Sequence, residues 1–104
     1  MKKTEEFQGC AERLRALADP DRLRIVTCLF LGEKNVGEIA SDLGDEIVKV
    51  SHHLGILRRA GIVRAAKHGR FVHYCLNPDV AVATDARSKP KRIDFGCCRV
   101  DLAE

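Results

Sequence analysis

The sequence has 104 residues, 45% hydrophobic and 32% charged, a profile that fits one soluble globular domain with a small core. No apolar run approaches the ~20 residues of a membrane span, so no membrane partner is expected. The opening Met1-Lys2-Lys3-Thr4-Glu5-Glu6 has no apolar signal region, so the expected location is cytoplasmic. The formal charge of +3 is unevenly spread: Ile47 to Pro78 holds six Lys/Arg and no acid, whereas the remainder holds 12 bases against 15 acids.

A first helix is expected from about Thr4 to Ala18, with Phe7, Cys10, Leu14 and Leu17 on one face. Asp19 then suits an N-cap and Pro20 the first position of a second helix, which Gly32 ends. Leu23, Val26, Thr27 and Phe30 form its inward stripe, with Ile25 and Leu29 alongside and Cys28 as a small buried residue. Asn35 can cap a short third helix, Val36 to Leu43, with Ile39, Ala40 and Leu43 inward. Gly44-Asp45 turns the chain into a fourth helix.

That fourth helix, Ile47 to Ala60, places Ile47, Val50, Leu54 and Leu57 on a core-facing stripe. Val48, Lys49, His52, Gly55 and Arg59 fall on the outer face, and Gly55 there allows close approach of another backbone. Gly61 takes the left-handed position that stops the helix. Strands at about Ile62–Lys67 and Arg70–Leu76 come next, joined at His68-Gly69. In the second, Val72, Tyr74 and Leu76 share one face, and Phe71, His73 and Cys75 the other. A short last helix is expected from Asp79 to Arg87, bounded by Pro90. The tail from Ile93 to Leu102 alternates like a strand around Gly96-Cys97-Cys98. The expected division is a domain over residues 1–88 and a cysteine-bearing tail over 89–104.

Two helices joined by a short glycine turn, with a basic hairpin after them, make a helix-turn-helix with a wing. The acid-free segment points to a polyanion, and double-stranded DNA fits it, because a solvated face normally mixes both signs. Lys49, His52 and Arg59 are expected to face bases or nearby phosphates, with Ser51 at the edge. Arg58, Arg64, Lys67 and Arg70 are expected on the backbone or in the minor groove. His53 is either a flanking phosphate contact or a satisfied structural histidine. Neighbours on a helix diverge by about 100°, so His52 and His53 do not easily grip one ion.

Three stretches together resemble the ArsR/SmtB family of metal-responsive repressors. They are Ala16-Leu17-Ala18-Asp19-Pro20-Asp21-Arg22-Leu23-Arg24-Ile25, then Val50-Ser51-His52-His53-Leu54 with Arg58-Arg59-Ala60-Gly61-Ile62-Val63, then Gly69-Arg70 with Tyr74-Cys75-Leu76-Asn77. The resemblance covers about residues 7 to 78. It implies a mainly α winged helix-turn-helix in the order α-α-α-α-β-β-α, a homodimer, and a repressor that leaves its operator when a metal or metalloid binds. Departures are visible as well. Glu46, Ile47 and Val48 stand where small hydroxyl residues often open the family's recognition helix, and Glu46 should point aside or help cap. Val36 to Leu43 holds no cysteine and no histidine comes after His73, which argues against the family's sites for zinc, nickel or cobalt.

The five cysteines are odd in number and no secretion signal accompanies them, so reduced thiols are expected and a disulfide scaffold is not. Cys97 and Cys98 are the candidate inducer site, because soft thiophilic ions favour thiolates. Adjacent thiols meet one ion only if the backbone turns, and Gly96 permits that. Cys10, of the same or of the other subunit, is the chosen third ligand, since the resemblance implies that the first and last segments meet at the dimer interface. Cys28 and Cys75 are read as core or strand residues. No permanent cofactor is expected. As(III) or Sb(III) is the favoured inducer, with cadmium, lead and mercury also open. The alternatives are a redox- or sulfide-responsive repressor of the same fold and a ligand-independent DNA-binding protein. An enzyme is not expected, because a thiol oxidoreductase reading finds no Cys-x-x-Cys and no strand–helix crossover.

Overall fold

The computed structural model describes residues 2–82 and 91–103. Helix α1 spans Lys2–Leu17 and α2 spans Pro20–Leu29. Asp19 caps α2 as expected, its Oδ1 accepting from the backbone N–H groups of Asp21 at 2.9 Å and Arg22 at 3.1 Å. These two donors outweigh desolvation and hold the Asp19 carboxyl below the ordinary carboxylate range. A two-residue strand, β1 (Lys34–Asn35), precedes α3 (Val36–Leu43). Asn35 and Glu38 form a reciprocal capping box, each side chain accepting from the other residue's backbone N–H at 2.9 Å. Gly44 closes α3 in the left-handed conformation at φ 68°.

Helix α4 (Ile47–Arg59) is the second helix of the helix-turn-helix. Gly61, at φ 76°, donates to Arg58 O at 3.0 Å, and Ile62 donates to Leu57 O at 3.0 Å. This pair of bonds satisfies the last carbonyls of α4, and Ile62, fully buried, plugs the turn into the core. Strands β2 (Val63–His68) and β3 (Phe71–Leu76) form the wing, with Gly69-Arg70 as its turn. β1 adds to the far side of β3, giving an antiparallel sheet ordered β1-β3-β2.

The short last helix expected to begin at Asp79 gives way to a turn and a strand. Asp79 N donates to Asn77 Oδ1 at 3.0 Å, the chain turns, and Ala81–Val82 form strand β4. The remainder of that expected helix, residues 83–87, lies outside the described residues, as does the expected boundary between 88 and 89. β4 pairs with β5 (Lys91–Asp94), which pairs with β6 (Arg99–Leu102), so a second antiparallel sheet stands in the order β4-β5-β6. The alternation of Val and Ala in this segment serves a strand as well as a helix, and pairing with β5 decides between them.

One core serves both sheets: Ile25, Ile39, Leu54, Leu57, Ile62 and Ile93 are fully buried in the same cluster, and Phe95 joins it. Three residues expected to face inward do not. Phe7 is 61% exposed, Ile47 55% and Leu14 37%, so α1 keeps an apolar strip uncovered in the single chain. Among the described residues no helix is long and apolar enough to cross a membrane.

Candidate nucleic-acid interface and sulfur cluster

Helix α4 is held by its neighbours before it is offered to anything else. Arg24 of α2 donates through Nη2 to Leu43 O at 2.6 Å, at the end of α3, and meets Asp45 in the turn at 3.3 Å. Arg22, largely buried, donates to Ala16 O at 2.6 Å and lies 3.2 Å from His53 Nδ1. One guanidinium therefore caps the end of α1 and anchors the middle of α4. The His53 side chain is 12% exposed, and its Nε2 lies 3.7 Å from Asp21. His52 points outward, and their rings meet edge-on with centroids 5.6 Å apart.

Lys49 is exposed but not unaccompanied. Its Nζ lies 3.1 Å from Asp21 and 3.6 Å from Asp45, and these carboxylates push its pKa up. The basic segment contains no acid, yet two acids reach the outer face from α2 and from the turn. Arg64 is likewise met by Asp79 at 3.0 Å. Arg58, Arg59, Lys67 and Arg70 are exposed, and among the described residues none has a carboxylate within ion-pairing distance. Ser51 is exposed beside His52. Val48, 80% exposed, and Ile47 place apolar groups at the start of the helix. Glu46 precedes them without a side-chain capping bond. No other backbone uses the space at Gly55; the guanidinium of Arg59 lies nearest.

Sequence reasoning misses Arg22, Asp21 and Arg24 as site residues. Their partners are distant in sequence, 31 residues away for Arg22–His53, and no local spacing signals them.

The second constellation lies where the turn between β5 and β6 meets α1. Between β5 and β6 the chain turns through Phe95 to Cys98, with Gly96 at φ 87°. Gly96 N donates to Asp94 Oδ1 at 2.8 Å and Phe95 N to Cys98 O at 2.9 Å. This turn lays Cys97 and Cys98 against Cys10 of α1. The three sulfur atoms lie within 4.8 Å of one another. The expectation of reduced thiols throughout does not hold: Cys10 and Cys97 are joined as a disulfide, and Cys98 Sγ is 2.8 Å from Cys10 Sγ. Apposition of α1 and the β5–β6 turn, invisible to sequence spacing, makes the bond geometrically available. Cys28, Cys75 and Cys98 are free. Cys28 is buried on α2, where desolvation pushes its thiol above the usual range, and its Sγ reaches Asp42 at 3.6 Å. A cleft of ≈ 490 Å³ opens onto the cluster between Glu5, Gly9, Arg13 and Gly96. The Arg13 guanidinium lies 5.9 Å from the centre of the Phe95 ring, placing a positive charge on this wall.

Residues 19–65 match the model of the bacterial regulatory protein arsR family. The transcriptional repressor SdpR of Bacillus subtilis is 35% identical over 66 residues, which cover 64% of this chain and 73% of that protein. The chain belongs to the ArsR family. ArsR-family proteins are transcriptional regulators and not enzymes. The chain also resembles the uncharacterized HTH-type regulator Rv0081 of Mycobacterium tuberculosis, 42% identical over 73 residues, but the match spans only 64% of that relative's length and 68% of this chain. The arsenical resistance operon repressor of Escherichia coli is 40% identical over 67 residues, covering 64% of this chain and 57% of that protein. Among solved structures, the homodimeric winged helix-turn-helix DNA-binding domain of Mb0332 from Mycobacterium bovis superposes with a TM-score of 0.71 at 29% identity, covering 75% of this chain and 72% of that one. The winged helix-turn-helix is therefore both the observed fold and the fold of the family.

Proposed function

We propose that this ArsR-family chain is a cytoplasmic homodimeric repressor whose reduced Cys10, Cys97 and Cys98 bind a thiophilic ion, As(III) or Sb(III), and thereby release operator DNA. The observation that carries the reading is the convergence of the three sulfurs within 4.8 Å. Trivalent arsenic takes three thiolates, and thiolates select soft ions over hard ones. The E. coli relative named for arsenical resistance supports the same chemistry. The uncovered Phe7 and Leu14 on α1, beside Cys10, supply an apolar strip for a second copy, so the sulfur cluster lies next to the dimer seam.

In the DNA-bound form the two α4 helices enter successive major grooves about 34 Å apart. His52 and Ser51 face base edges. Arg58, Arg59, Lys67 and Arg70 supply the phosphate contacts, with Lys49, Arg64 and His53 at the margin, each already engaged by an acid or by Arg22. Ion uptake releases DNA only if the ion binds the non-matching dimer geometry more tightly, and a coupling of about 1–3 kcal/mol is typical.

The disulfide favours a second reading, in which oxidation of Cys10 and Cys97 is itself the signal. Titrating the protein–DNA complex with arsenite under reducing conditions, and in a second arm with an oxidant in the absence of reductant, separates the two. Release by arsenite, lost in a Cys97→Ser, Cys98→Ser double variant, is the expected result. Equal release in that variant rejects the ion site. Release by oxidant with none by arsenite favours the redox switch. Unchanged affinity in both arms indicates a constitutive DNA binder.

A further inference from the structure

The outer face of α4 opens on a side chain that neither the core nor a phosphate contact uses. Val48 is 80% exposed, the most exposed of the large apolar side chains among the described residues. A single exposed valine is ordinary on a protein surface. Its place is what matters here. Val48 is the second residue of α4, and the N-terminal residues of the second helix are those that contact base edges in a helix-turn-helix. At about 100° per residue it points away from the buried stripe of Val50, Leu54 and Leu57. His52 follows one turn on, and Gly55 after two turns leaves the helix backbone low on this face, with only the Arg59 guanidinium near it. The face is also held still. Arg24 bonds to Leu43 O at 2.6 Å ahead of α4, and Arg22 lies 3.2 Å from His53 Nδ1 at its middle.

We infer that Val48 is a sequence-reading residue, its isopropyl group packing on the C5-methyl of a thymine in the major groove. The inference rests on the DNA-binding reading above and adds the base that the helix selects. Among the four bases only thymine presents an apolar group on that edge; the others offer donors and acceptors. Over guanine or cytosine, valine strips water from polar atoms and returns no hydrogen bond. The preference therefore has an attractive and a repulsive part. Valine in a helix keeps essentially one χ1 rotamer, so its methyl groups are already in position and little freedom is lost on contact. Arg58 and Arg59, exposed at the other end of α4, supply the charge that seats this face on the duplex. Glu46, two residues before Val48, does not share its face. Four residues of helix rise about 6 Å and one base pair about 3.4 Å, so the thymine lies about two base pairs from the pair that His52 faces. Val48 carries no charge, so its contribution discriminates between sequences and leaves the salt dependence alone.

The test starts from duplexes that the reduced full chain selects out of a randomised library. Each thymine of a selected duplex is replaced in turn by deoxyuridine, which keeps the base pair and removes only the methyl group. One thymine per half-site is expected to matter, its replacement weakening binding about fourfold, the worth of one buried methyl group. The salt slope should not change. An 80% exposed side chain packs against nothing, so Val48→Ser should fold as the wild type does. That variant should bind the thymine and deoxyuridine duplexes equally, whereas Val48→Thr, which keeps one methyl group, should retain part of the difference. Two results overturn the inference: no thymine whose replacement weakens binding, or the same weakening in Val48→Ser, which would assign it to the shape of the duplex. Failure to enrich any duplex sinks the DNA-binding reading itself, and this inference with it.

Discussion

The two three-stranded antiparallel sheets differ in strand order, β1-β3-β2 against β4-β5-β6, and in what holds them. The wing sheet is anchored at its root by Ile62 and Val63, and beyond Val63 every residue of β2 is exposed. The second sheet is pinned through its middle strand, where Ile93 is fully buried, and through Phe95, which packs beneath α1. A hairpin that leans out of the fold can track a ligand's surface at little cost. A sheet nailed to the core instead transmits any change at its turn into the helices. The exposed sheet therefore suits contact with DNA, and the anchored one suits carrying the state of the sulfur cluster toward α1.

Removing the anchor is the strongest way to break this contrast. Ile93→Ala deletes fully buried methyl groups and is expected to cost about 2–5 kcal/mol in urea unfolding. Val72→Ala, on the 41% exposed face of the wing, should cost well under about 1 kcal/mol. Comparable losses at the two positions would show that the wing is buried too, for instance against a second copy. Next in size is the joint between the wing sheet and the helix-turn-helix. Asn35→Ala removes half of the capping box and should cost about 1 kcal/mol, with α3 amides exchanging faster than those of α4.

The range of each interaction decides how far it is legible in the sequence. Elements set by local chemistry are legible: Asp19-Pro20 opening α2, Asn35 capping α3, Gly61 ending α4 and Gly96 turning Cys97 and Cys98 together. The strand pair β4 and β5 is not, because a strand at 81–82 exists only once residues 91–94 lie beside it. The exposure of Phe7, Leu14 and Ile47 is hidden as well, since helical periodicity marks an apolar face without saying whether this chain covers it. On α4, the absence of acid from residues 47–78 is plain in the sequence, but Asp21 and Asp45 reach Lys49 through the fold. The third sulfur is within reach of the family resemblance, which says which segments meet; the disulfide between Cys10 and Cys97 is not.

The charge pairing sharpens the comparison at the DNA surface. Lys67→Ala and Arg70→Ala each remove a cation that no carboxylate meets among the described residues, so each should lower the slope of log affinity against log salt by about 0.9. Lys49→Ala should leave the slope nearly unchanged, because Asp21 and Asp45 already neutralise that ammonium. Asp21→Asn should tighten binding slightly by releasing it. A full loss of slope in Lys49→Ala would mean that DNA displaces both carboxylates.

The smallest effect is a pH dependence that both regions share. Lys34 donates to Asp42 beside the wing sheet, and Arg92 donates to Asp101 at 2.6 Å across β5 and β6. Each cation holds its carboxyl below the ordinary 3.8, chiefly through that hydrogen bond. A carboxyl whose pKa is lower in the folded than in the unfolded chain favours folding wherever it is ionised in both. That contribution is complete above about pH 4–5 and is lost as pH falls through the folded value. Both pairs reach solvent, so the effect should shrink in salt. Stability measured from about pH 6 to pH 2 should therefore fall below about pH 4, and Asp42→Asn and Asp101→Asn should each flatten part of that fall while lowering the plateau above it slightly. The Asp101 variant should alter the second sheet alone, since Arg92 and Asp101 bridge its two strands away from the helix-turn-helix. If the flattening appears in wing amides as strongly as in those of β5 and β6, the two sheets unfold as one unit and the contrast between them is only one of exposure.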